Sequence, residues 1–202
     1  MKLLTSPVEA LKEAKTKKSF GKTIGILVIS AILFGLSVAI FPLGFSTTPV
    51  RAVPTFSTMT FAVIFVGTLI LGLFYGYLAK LVMNILGGKG KYFEGLTTIT
   101  YSIFPFSVGL FIVALLNYAL LQVQQITQYY LVTIFIQGFI LSVFTALGLA
   151  VFYKGLNELF QVDMIAALVG AGILFSTLWI AFYGLIFSLM GAFIPLVPSI
   201  RP

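Results

Sequence analysis

Five runs of about twenty or more apolar residues dominate this chain, and each is long enough to cross a hydrocarbon core about 30 Å thick as a helix. They cover approximately 23–43, 58–86, 98–121, 130–153 and 164–190. A soluble domain has no means of hiding five such runs. Hydrophobic residues make up 60% of the 202 and charged residues only 8%, against roughly 25% charged in an average soluble domain. In lipid every backbone polar group must be paired internally, so the expected fold is all-α, a polytopic bundle of five transmembrane helices. The connecting segments are short, and residues 1–202 read as a single membrane domain. The second and fifth runs exceed the required length and are expected to tilt or project past the lipid.

Lysine and arginine set the expected orientation. Lys2, Lys12, Lys15, Lys17, Lys18 and Lys22 precede the first span; Lys80, Lys89 and Lys91 surround the second turn, and Lys154 opens the fourth. With five spans these fall on one side, leaving Arg51 and Arg201 on the other: ten basic residues against two. The N-terminus is therefore expected in the cytoplasm and the C-terminus outside, in a prokaryotic plasma membrane. The net charge of +7 reads as this topology signal plus attraction to anionic headgroups, not as a nucleic-acid surface.

The first apolar run exceeds the roughly 7–15 residues of a signal-peptide core, so no cleaved leader is expected. Before it lies SPVEALKEAKTKKSF, residues 6–20. Ser6 and Glu9 have capping-box spacing, Pro7 suits a first helical position, and Glu13 precedes Lys17 by four. Val8 and Leu11 share a face with Leu4. The reading is a short amphipathic helix lying on the headgroups, with a frayed arm as the alternative.

The stretch GGKGKYFEGLTTITYSIFPF, residues 87–106, resembles a phosphate-gripping loop at first sight. A P-loop needs G-x-x-x-x-G-K-[ST]. Here Gly90-Lys91 is followed by Tyr92 with Ile85 where the first glycine belongs, and Gly88-Lys89 is followed by Gly90. A dinucleotide fingerprint fails at Phe93, which stands where the third glycine belongs. Gly87 and Gly88 instead suit the left-handed cap that ends a helix, and the segment reads as a connector between spans. The run from Gly87 to Phe93, followed by Tyr101-Ser102 and Pro105, resembles the central segment of the Yip (Ypt-interacting protein) family. LLTSPVEAL at 3–11 and LNELFQVDMIAALVGAGIL at 156–174 resemble further segments of that family. The resemblance implies five membrane passes, a cytoplasmic N-terminus and a role in organising other membrane components. Eukaryotic members contact Rab-type GTPases through a longer, acidic N-terminal region. This chain has about 22 basic-rich residues there, a departure from the pattern, so the resemblance by itself does not assign that role here.

Helices in lipid associate through close packing, which small residues four apart permit. Such ridges occur at Ala31, Gly35 and Ala39; at Thr68, Gly72 and Gly76; at Gly138, Ser142, Ala146 and Ala150; and at Ala166 with Gly170 and Gly172 with Ser176. Two readings stand for them: packing within the bundle, or, for Gly72 and Gly76, the seam of a homodimer.

The chain contains no histidine and no cysteine. Its acids, Glu9, Glu13, Glu94, Glu158 and Asp163, all fall in segments assigned to the cytoplasmic side. No catalytic residue, cofactor or metal is expected. Lys80 lies inside an apolar run and is expected to snorkel to the headgroups. Pro105 removes a backbone hydrogen bond and should bend the third span. Beside it, Thr97, Thr98, Tyr101 and Ser102 either line a small polar cavity or bond back to their own helix. Gly88, Tyr101, Ser102, Pro105, Gly72 and Gly76 are thus the candidate functional or structural positions. Two functions follow: a non-enzymatic Yip-type scaffold with membrane-protein partners, or a small transporter, channel or lipid-handling protein with its pathway near the broken third span.

Overall fold

The computed structural model describes residues 2–40, 58–121 and 130–193. In chain order its helices are α1 (Lys2–Thr5), α2 (Pro7–Thr16), α3 (Phe20–Ile40), α4 (Thr58–Ile85), α5 (Tyr92–Leu121), α6 (Tyr130–Phe160) and α7 (Met164–Phe193). Among the described residues all regular structure is helical, as in-lipid backbone pairing requires. Helices α3 to α6 are each long and apolar enough to cross a membrane, and α7 is apolar from Met164 to Leu178. The end of the first run at 41–43, the first loop, the glutamine-rich segment at 122–128 and the C-terminal tail lie outside the described residues.

The helices begin and end differently from the apolar runs. Helix α3 starts at Phe20, α5 at Tyr92, and α6 runs on to Phe160. These extra turns project the polar ends of the spans beyond the apolar stretch, where Glu94, Lys154 and Glu158 are placed. Helix α4 stops in a Schellman arrangement: Gly88 N–H donates to Met83 O at 2.8 Å and Gly87 N–H to Asn84 O at 3.2 Å. Gly87 takes φ +86, the left-handed value such a cap needs. The two glycines therefore divide the expected task. Gly87 supplies the conformation, and Gly88 supplies a donor in a space where an added Cβ would sit 2.8 Å from Met83 O. Helix α7 opens on an Asp163 cap, with Ala166 N–H donating to Oδ1 at 2.7 Å.

Helix α5 is the hub, packed by α3, α4 and α6, while α7 rests on α4 and α6. Glycines set the closest approaches. A Cβ on Gly95 of α5 would collide with the Gly76 carbonyl oxygen of α4, and one on Gly76 would lie 2.9 Å from Leu96 Cα. On α6, a Cβ added at Gly148 would lie 2.9 Å from the Ser102 carbonyl oxygen of α5, and one at Gly155 2.8 Å from the Thr98 methyl. Gly72 faces Leu27 of α3, whose Cδ1 would be 2.7 Å from an added Cβ. The Gly72–Gly76 ridge is thus occupied from within the chain, which matches the reading of packing within the bundle. The ridge of α6 has the opposite surroundings: Gly138, Ser142, Ala146 and Ala150 are all exposed.

Helix α2 also departs from expectation. Its apolar residues Ala10, Leu11 and Ala14 are buried, Leu11 completely, in one cluster with Leu156, Leu159 and Phe160 at the end of α6. Protein, not headgroups, covers this face. The reason is packing: a short helix whose apolar side is two alanines and a leucine fits closely against a neighbouring helix. Burying the leucine alone contributes roughly 1.5–3 kcal/mol. The capping box is not formed either, since the Ser6 side chain makes no cap hydrogen bond, although Pro7 does occupy the first helical turn.

Candidate functional site at the capped end

The docking of α2 gathers charged residues from four helix ends into one cap. At its centre is Glu94, whose side chain is 8% exposed. One oxygen accepts Lys18 Nζ at 2.5 Å and the other accepts Lys91 N–H at 2.9 Å. A carboxylate this buried needs such partners to remain ionised. The lysine comes from the α2–α3 junction and the amide from the turn before α5, so one acid ties two segments. Lys22 Nζ meets Glu13 Oε1 at 3.0 Å, and Lys15 Nζ donates to the Glu158 carbonyl at 2.8 Å. Together these bonds fasten α2 and the start of α3 over the ends of α5 and α6.

The two turns of the cap are joined to each other by backbone. Lys89 N–H donates to Phe160 O at 3.0 Å, and Asn157 Nδ2 donates to Val162 O at 2.8 Å. With its amide nitrogen turned toward the turn, Asn84 reaches Gly88 O at 3.2 Å and Gly90 O at 3.1 Å. Gly90 lies against the Phe160 ring so closely that a side chain there would displace it. The stretch 87–91 is therefore a packed connector, with the Gly87 and Gly88 amides bonded to the end of α4, the Lys89 amide to the end of α6 and the Lys91 amide to Glu94, which leaves those four donors unavailable to a phosphate.

Beneath the cap sits a cluster of hydroxyl groups. Thr98 Oγ1 donates to Glu94 O at 2.9 Å, Ser102 Oγ to Thr98 O and Ser107 Oγ to Ile103 O at 3.0 Å. Thr23 and Thr97 hydroxyls meet across the α3–α5 contact at 3.3 Å. Of the two readings for this cluster, these bonds match the one in which hydroxyls bond back to their helix beside a proline. Tyr101 is 1% exposed and packs with Leu11, Met83 and Leu156 in the apolar cluster. Pro105 is buried within α5. Thr100 differs: its hydroxyl is buried and has no hydrogen-bond partner among the described residues.

Of the candidate positions, Gly88, Tyr101 and Ser102 fall in or just beneath the cap, Gly76 meets α5 immediately below it, and Gly72 and Pro105 lie deeper in the bundle. Sequence reasoning missed Glu94 as a buried centre, because its lysine partner is 76 residues away. It also missed Gly95, Gly148 and Gly155, which do not form four-residue ridges. Lys80 stands 5.7 Å from the Tyr77 ring centroid, near enough for a cation–π contact. Farther from the cap, Gln137 Nε2 donates to Asn117 Oδ1 at 2.6 Å. Among the described residues no cluster of three or more acids offers a metal site.

A family model described as the Yip1 domain matches residues 1–189. The chain belongs to the Yip1-domain family. The kinship expected from Gly87 to Phe93, Tyr101, Ser102 and Pro105 is established on nearly the whole length. Among curated proteins and among solved structures nothing matches. In this Yip1-domain protein the family resemblance at 87–106 coincides with the turn and helix start that hold the cap together. The segment at 156–174 coincides with its other half, the end of α6 and the start of α7.

Proposed function

We propose that this Yip1-domain protein is a five-pass protein of a prokaryotic plasma membrane, with its N-terminus and cap in the cytoplasm and its C-terminus outside. It acts without catalysis, by assembling with or organising other membrane components. The observation that carries this reading is the cap itself. Its charged groups are committed to holding segments together, while Lys12, Lys17, Lys89 and Lys91 remain exposed on the outer surface. The result is a folded platform suited to contact. The ten-to-two distribution of basic residues supports the orientation. Partners are other membrane proteins, a second copy included. The exposed Gly138–Ala150 side of α6 offers small residues for such a contact, which the Gly72–Gly76 ridge does not.

Two measurements test this. Because the chain has no cysteine, single cysteines at positions 51, 89, 125 and 158 can be labelled with an impermeant reagent. Positions 89 and 158 are expected on the cytoplasmic face, and 51 and 125 outside; finding 89 and 125 on one face overturns the five-pass reading. Crosslinking in native membranes should then recover a consistent set of neighbours, and persistent isolation of the protein argues against the scaffold.

One observation favours the second reading, a small transporter, channel or lipid-handling protein: the unpartnered Thr100 hydroxyl just over one turn before Pro105. Reproducible solute or lipid movement in reconstituted liposomes, above protein-free vesicles and lost on replacing Tyr101, Ser102 and Pro105, would replace the scaffold with that function.

A further inference from the structure

We infer that the seam between the starts of α3 and α5 is a specific site for the phosphate headgroup of an anionic phospholipid in the leaflet at the capped end. It gives a location to the attraction for anionic headgroups expected from the basic residues, and it rests on the membrane reading of the chain.

Phe20 is the first residue of α3 and Tyr92 the first of α5, both helices being apolar spans. Their starts lie where hydrocarbon gives way to headgroups, the level that amphipathic and aromatic side chains favour. The two starts are adjacent, since the rings of Phe20 and Phe93 stand 6.5 Å apart. Phe20 is 51% exposed, so an apolar surface opens to the membrane at this seam.

Charge meets that surface. Lys18 and Lys91 both converge on Glu94, one by its ammonium and one by its backbone amide. The Lys18 side chain remains 55% exposed, and Lys91 is exposed as well. One carboxylate between two lysines leaves the seam with a net positive charge. A lipid phosphate there would meet the exposed Lys18 ammonium, with the exposed Lys91 only three residues before Glu94 adding charge to the same seam, while its acyl chains run along Phe20 and Phe93. Free phosphate has no use for the aromatic pair, and an acidic protein segment would have to reach beneath the headgroup layer. Lys89 serves as the contrast. It belongs to the same turn and is exposed too, but its backbone is drawn toward α6 by Phe160.

The test uses the full chain purified in a zwitterionic detergent, with native mass spectrometry to count retained lipids. Phosphatidylglycerol and phosphatidylcholine are titrated in competition. Phosphatidylglycerol should be retained in preference. Lys91→Gln should weaken that retention about fivefold, while Lys89→Gln, which removes the same charge, should change it by less than about twofold. Lys18→Gln should weaken it further than Lys91→Gln, because it also frees the Glu94 carboxylate to repel the phosphate. Lys91→Gln is the decisive variant, since it leaves the Glu94–Lys18 pair intact. Equal losses from Lys89→Gln and Lys91→Gln would mean diffuse attraction and overturn the site. So would the absence of any preference for phosphatidylglycerol, or displacement of the lipid by inorganic phosphate alone. Micelles have no leaflets, so a failure here leaves the labelling test of topology untouched, and a failure there leaves this one untouched.

Discussion

The Gly72–Gly76 ridge of α4 and the Gly138–Ala150 ridge of α6 carry the same pattern of small residues four apart, yet they have opposite surroundings. On the α4 ridge both glycines receive something large or close: Leu27 at Gly72, and the backbone of α5 at Gly76. On α6 an added Cβ at Gly138 meets nothing within 4 Å. A small residue permits approach without causing it. What decides is whether the facing helix brings a complementary shape, as α5 does with Gly95 opposite Gly76 and as Thr98 does beneath Gly155. In lipid, where apolar side chains gain little from leaving their solvent, that complementarity is the main source of helix association.

The sharpest way to break this comparison is to fill the contact on the α4 ridge from its α5 side and to fill the α6 ridge itself. Gly95→Ala should lower unfolding stability in detergent by roughly 3 kcal/mol, because its Cβ meets the backbone of Gly76 and Lys80, which cannot move aside as a side chain can. Gly138→Ala should leave stability unchanged or raise it by up to about 1 kcal/mol through helix propensity alone. Equal effects of the two would mean that the ridges do not differ as described. Next in size is Leu11→Ala, which removes a fully buried leucine of α2 and should cost roughly 2 kcal/mol. Its specific readout is faster hydrogen exchange across residues 7–16, with α4 and α5 unaffected.

The ion pairs of the cap sharpen the contrast between buried and exposed contacts. Glu94→Ala should destabilise by about 1–2 kcal/mol, since the hydrogen bonds it removes, from the Lys91 amide and the Lys18 ammonium, end on a carboxylate that is nearly closed to water. Lys22→Ala removes a pair whose two side chains are 49% and 37% exposed, and should cost less than about 1 kcal/mol. Thermal unfolding of the two variants side by side checks the order; a larger loss for Lys22→Ala would place the fastening of the cap elsewhere.

Much of the architecture could be read directly from the residues. The apolar runs mark the long helices because crossing hydrocarbon imposes a length, and Gly87 marks a helix end because few other residues take its φ. The Yip resemblance at 87–106 and 156–174 pointed to the two turns that meet in the cap. The docking of α2 was not legible, because an amphipathic pattern says that a face is covered and leaves open whether lipid or protein covers it. Glu94 looked like one more acid in a polar turn, since its burial depends on Lys18, which no local spacing connects to it. Gly95, Gly148 and Gly155 stood outside any repeat because each answers a feature on a different helix.

The cap also has a consequence for how the chain is made. Helix α2 is synthesised before α6 yet closes onto Glu158 and Phe160 through Lys15 and Leu11, so its landing place does not exist until α6 has been made and inserted. Until then the leading residues must wait beside the growing bundle with their leucine uncovered. Completion of the cap thus reports that α6 has arrived, which makes an accessible N-terminal segment a marker of unfinished molecules.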